Sequence, residues 1–156
     1  MKIKAHVISA FIAFLTIALF FSSTIVVEII GSPDSIYFVK KSILYGLLIL
    51  IPAMMATGIT GNLIAKNKKG KLIQKKLTRL KIIASNGVLI LIPCAFLLES
   101  LAGAGNYNEW FYSIQGLELI AGATNLYFLG LNMKDGFLLS GRFKKANKTM
   151  PISNCW

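Results

Sequence analysis

Six side chains in this chain could bind a proton, a cation or a polar ligand within an otherwise oily sequence. They are Glu28, Asn86, Gln115, Glu118 and Asn125, together with the single histidine, His6. Gln115, Glu118, Gly122, Asn125, Leu129 and Asn132 follow one another at steps of three and four residues, which places them on one face of an α-helix. His6, Ala10, Ala13, Ile17, Phe21, Thr24 and Glu28 share a face by the same spacing. If Glu28 and Glu118 converge, repulsion and lost hydration favour keeping a proton on one of them. Such a pair could hold a proton, bind a cation, or hydrogen-bond a quinone or a polar headgroup. His6 offers one axial ligand to a haem b, with Lys2 and Lys4 near the propionates and a second ligand from another subunit. Its bland role is an interfacial histidine facing water or headgroups. The bland role for Glu118 is a protonated carboxyl bonded to a neighbouring helix, and for Glu28 an interfacial residue reaching water.

The elements that must position these groups are membrane helices. The chain has 156 residues, 55% hydrophobic and 15% charged, with a mean hydropathy of +0.66. Soluble domains carry about 25% charged residues, so this chain has too few to cover a water-facing surface. A bilayer crossing takes about 20 apolar residues, and four stretches qualify: 7–30, 42–65, 82–101 and 110–131. The first is about twice the length of a signal-peptide core and has no A-x-A site after it, so it reads as a span. Turn signals separate the stretches, with Gly31-Ser32-Pro33-Asp34 after the first and Gly103-Ala104-Gly105-Asn106 after the third. The expected fold is all-α, an up-down-up-down four-helix membrane bundle forming one domain.

The net charge of +11 is arranged as topology rather than as a nucleic-acid surface. Lys and Arg number two at the N-terminus, eight between residues 66 and 81, and five after residue 132, against only Lys40 and Lys41 on the other side. The positive-inside rule then places both termini and the 66–81 connection in the cytoplasm, with the expected location a bacterial cytoplasmic (inner) membrane. Tyr37, Phe38, Tyr107, Trp110, Phe111 and Tyr112 form the expected aromatic belt at the outer boundary. Leu72, Ile73, Leu77 and Leu80 recur at helical spacing among the lysines of the connection, as an amphipathic stretch resting on anionic headgroups would. The tail after residue 132, with Phe137, Leu138, Leu139 and Phe143 beside Arg142 and Lys144, reads the same way.

A second polar layer is expected toward the cytoplasm, from Thr57, Thr60, Asn62, Ser85, Asn86 and Asn125, acting chiefly as helix-to-helix hydrogen bonds. Pro52 and Pro93 fall near the midplane and would kink their helices. They sit in a short echo, Leu48-Ile49-Leu50-Ile51-Pro52 against Leu89-Ile90-Leu91-Ile92-Pro93. Cys94 lies in a span and Cys155 in the tail, so no disulfide is expected between them. Neither GxxxxGK[ST], HExxH nor GxSxG occurs, which argues against autonomous hydrolytic or phosphoryl-transfer chemistry. Three functions fit these residues. The first is a non-catalytic binder of a lipophilic ligand (quinone, haem or lipid), acting as a homo-oligomer or as an accessory subunit beside other membrane subunits. The second is a small proton- or cation-coupled transporter using Glu118 and Glu28. The third is a structural adaptor.

Overall fold

The computed structural model describes residues 2–66 and 71–139. Among these every element is helical: α1 (Lys2–Ile30), α2 (Pro33–Ala65), α3 (Lys71–Asn86), a π-turn (Gly87–Leu91), α4 (Ile92–Gly103) and α5 (Glu109–Leu139). The α3, π-turn and α4 segments are one rod, so four rods result. Three of them, Ile3–Ile30, Pro33–Ala65 and Lys71–Gly103, are long and apolar enough to cross a membrane. Helix α5 has the length, at 31 residues, but its polar stripe keeps it out of that group. Cys155, Phe143, Arg142 and Lys144 lie outside the described residues.

The start of α2 corrects the expected span 42–65. The Ser32 hydroxyl accepts from the Ser35 backbone N–H, Pro33 occupies the first turn, and Asp34 complements the helix dipole. The helix therefore begins nine residues before Ser42, and Lys40 and Lys41 lie inside it rather than in an outer loop. The two-residue link Gly31-Ser32 sends α2 back along α1. The Phe20 ring occupies the space above Gly46, where any Cβ would collide with it. At the other end of this pair His6 meets Thr60.

The basic connection is also shorter than expected, because α3 already begins at Lys71. Its first turns lean on α5: Arg79 pairs with Asp135 at 2.6 Å, and the Asn132 amide donates to the Lys76 carbonyl at 3.3 Å. Ahead of Pro93 the chain opens into the π-turn, where the Ile92 N–H reaches the Gly87 carbonyl. A wider turn accommodates a residue that has no N–H to give. Pro52, by contrast, sits inside the α2 helix, whose first-turn cap is intact, so the sequence echo has no matching geometry.

At the far end of α4 the chain turns through a Schellman motif. The Asn106 N–H reaches the Leu101 carbonyl at 2.9 Å and that of Gly105 reaches Ala102 at 3.0 Å. Gly105 takes φ +67, a conformation glycine adopts without steric penalty. Asn108 then accepts from the Phe111 N–H to start α5.

Two apolar clusters hold the helices together. The larger joins Ala13 and Ile17, Ile43, Leu47 and Leu50, Ile83, Ala95 and Leu129. The smaller packs Ile36, Leu98, Ala102 and Phe111 at the outer end. Phe111 is thus a core residue, not a belt residue, whereas Phe38, Trp110 and Tyr112 are exposed. Large apolar side chains also point away from the core, Leu48 being 74% exposed, as expected of a surface solvated by acyl chains.

Candidate functional site

The centre of the site is a residue that the sequence reading placed at the membrane surface. Lys40 is 0% exposed and its ammonium donates to Glu118 Oε2 at 2.7 Å. Lysine is almost never fully buried unless paired, and here α2 supplies the cation and α5 the anion. Helical phase explains the placement. The buried residues of α2 are Ile36, Lys40, Ile43, Leu47, Leu50, Ala53 and Thr57, again at steps of three and four. Lys41, one position on, lies outside that row and is exposed. At ~1.5 Å per residue, Lys40 is about 10 Å into α2 and Glu118 about 13 Å into α5.

Gln115 and Glu28 complete the site. Gln115 is 4% exposed, and its amide N–H₂ approaches Glu118 Oε2 at 3.4 Å, a long contact. Its carbonyl oxygen is buried and accepts no hydrogen bond, and the same holds for Glu28 Oε1. Glu28 lies within electrostatic reach of both Lys40 and Glu118. Of the two carboxylates, only Glu118 meets the lysine directly.

The Tyr107 hydroxyl donates to the Pro33 carbonyl at 2.7 Å and ties the α4–α5 connection to the start of α2. Burial, then the Asp34 and Glu28 carboxylates, push the Tyr107 phenol above the ordinary tyrosine range, so it remains a donor. Inward, Glu118 borders a cavity of about 50 Å³ lined by Ile17, Phe21, Thr24, Leu47, Leu91 and Gly122.

Below the cavity lies the second polar layer, smaller than expected. The Asn86 amide donates to Asn125 Oδ1 and to the Ala121 carbonyl, both at 2.8 Å. Asn125 is 1% exposed and donates to the Ile83 carbonyl at 3.4 Å. The other expected members do not join this layer. Ser85 and Asn62 are exposed, while Thr57 and Thr60 donate back to the Ala53 and Ala56 carbonyls of their own helix. Asn125→Ala removes an amide whose partners are buried, and is expected to lower stability by about 1–2 kcal/mol. Thermal unfolding in detergent, followed by circular dichroism, measures this. An unchanged midpoint would show the Asn86–Asn125 contact to be dispensable.

His6 stands apart from the carboxylates. It is half-buried against α2, with Nδ1 3.1 Å from Thr60 Oγ1 and 3.2 Å from the Thr57 carbonyl. It is a helix-to-helix contact rather than a residue facing water, and only its Nε2 remains for any ligand. The described residues hold no group of three or more His, Cys, Asp or Glu able to bind a metal ion. Cys94 is a buried, free thiol.

The stripe along α5 thus runs from Gln115 and Glu118, past Gly122, to Asn125, and on to Asn132 and Asp135 beside Arg79. No protein-family model, no curated protein and no solved structure matches the chain.

Proposed function

We propose that this is a small proton-coupled membrane transport protein in which Lys40, Glu118 and Glu28 form the proton-binding site. On this reading α5 is the fourth crossing, the bundle runs up-down-up-down, and both termini face the cytoplasm of a bacterial cell. The charge asymmetry supports that orientation, and the burial of Lys40 sharpens it by removing one of the two cations from the outer flank. The polar stripe of α5 faces the other helices, as a fourth crossing in lipid requires.

One observation carries the proposal: a fully buried lysine, paired at 2.7 Å, with a second carboxyl group in electrostatic reach. A structural ion pair requires one anion. A second carboxylate near the same lysine leaves a net negative charge in a low-dielectric interior, which is unfavourable unless a proton neutralises it. On this reading the three side chains together hold one exchangeable proton. Glu28, near the outer end of α1, is the member through which a proton enters from outside.

The size of the cavity separates this reading from a quinone or haem carrier. Pockets for such ligands hold about 300–1,000 Å³, whereas the space beside Glu118 is about 50 Å³. In liposomes loaded with a pH-sensitive dye, the protein is expected to conduct protons when a membrane potential is imposed. Glu118→Gln, nearly the same shape without the charge, is expected to reduce the flux to that of protein-free vesicles. Equal flux in the two proteins, or none above protein-free vesicles in the unaltered one, would overturn the proposal.

A further inference from the structure

A second feature lies at the opposite end of the molecule, where α2 ends and α3 begins. Because α3 leans on α5 through Arg79–Asp135 and Asn132–Lys76, it parts from the last turns of α2. A groove of about 720 Å³ opens between them, with Ile59, Leu63 and Leu77 as its wall and Asn62, Lys66 and Gln74 at its rim. Its composition is amphipathic along its length, apolar toward the midplane and polar toward the basic end.

Electrostatics narrows the occupant. Between Lys41 and Glu99 the sequence contains no Asp or Glu, while Lys and Arg number eight between residues 66 and 81. Asp135, the acid that approaches this end from α5, is engaged by Arg79 at 2.6 Å. Lys66 lines the groove, and Lys71 and Lys75, exposed on α3, add to the positive potential at this end of the molecule. A wholly apolar occupant would leave that field and the rim amides unanswered. A zwitterionic headgroup would answer it with a compensating cation.

We infer that this groove binds one anionic phospholipid, its phosphate at Lys66, Asn62 and Gln74 and an acyl chain along Ile59, Leu63 and Leu77. Basic pockets between membrane helices on the cytoplasmic side recognise anionic headgroups in this way. The acyl chain supplies the apolar area that a free phosphate lacks. The site is independent of the Lys40 triad, which lies toward the other end of α2.

The test is native mass spectrometry on full-length protein stripped of lipid in detergent, titrated with phosphatidylglycerol and separately with phosphatidylcholine. One equivalent of phosphatidylglycerol is expected to bind about tenfold more tightly than phosphatidylcholine, with inorganic phosphate unable to displace it. The double variant Lys66→Ala/Gln74→Leu is expected to lose most of that preference, and Lys81→Ala, further along α3, to retain it. Should the double variant not fold, Ile59→Trp, which fills the groove from its apolar wall, is expected to remove the bound equivalent. Equal retention of the two lipids, several equivalents with no step at one, or equal weakening by Lys81→Ala would overturn the inference and indicate only diffuse attraction. Displacement by inorganic phosphate would do so too, pointing to an anion site without a lipid chain.

Discussion

Lys40→Met is expected to destabilise the protein by about 3–5 kcal/mol, because it leaves Glu118 charged and unpaired beside Glu28. The loss is a large share of the 5–15 kcal/mol that holds most domains folded. The methionine itself is well suited to the space, so the effect is electrostatic rather than a packing defect. The double variant Lys40→Met/Glu118→Leu removes both charges and is expected to recover most of the stability, since replacing a whole buried pair by apolar groups is often neutral. Thermal unfolding by circular dichroism, in one detergent, compares the three proteins. A Lys40→Met protein that melts with the unaltered one would mean that the pair at 2.7 Å does not hold charge in the membrane.

Glu28→Gln is expected to separate proton handling from stability. Glutamine reproduces the shape and neutrality of a protonated carboxyl, and the Lys40–Glu118 pair remains in place, so the melting midpoint should hardly move. Proton flux into dye-loaded liposomes should fall by about 10²-fold, the usual contribution of a positioned proton-transfer group. Glu28→Asp keeps the acid on a shorter arm and is expected to retain part of the flux. The prediction rests on Glu28 Oε1 being buried without a donor and on its reach to Lys40 and Glu118. Undiminished flux in Glu28→Gln would remove Glu28 from the path and leave Glu118 as the sole carrier.

The two groups behave differently because their surroundings do. Glu118 already has its cation, so its loss removes both an ion pair and a proton site. Glu28 has only proximity, and its loss touches transfer alone. That contrast allows a purely structural triad to be recognised: it would show large stability effects at Lys40 and no flux effect at Glu28.

Much of this architecture was legible from residue order. Oily stretches of about 20 residues and the shortage of charge indicate helices solvated by lipid, and three of the four rods meet that standard in the structure. Helical phase indicated that Gln115, Glu118 and Asn125 share a face, and all three turn toward neighbouring helices. The inward face of α1 was equally readable, with Ala13, Ile17 and Thr24 buried along it. These features depend on the 3.6-residue period and on the cost of placing polar groups in hydrocarbon, and both are local properties of the chain.

Lys40 was misplaced for an equally physical reason. A charged residue beside an apolar run reads as the edge of a span, and hydropathy alone assigns Lys40 and Lys41 the same place. Their separation depends on where α2 starts, which the Ser32 cap and Pro33 decide, and on phase, which puts Lys40 in the row of Ile36 and Ile43. Even so, a lysine can be buried there only because Glu118, 78 residues later in the chain, arrives at the same depth on another helix. The sequence by itself determined the helices, their oily faces and the polar stripe of α5. Only the tertiary structure decided that Lys40 is buried against Glu118, because an ion pair across helices is set by their relative depth and rotation, and neither is encoded in any single segment.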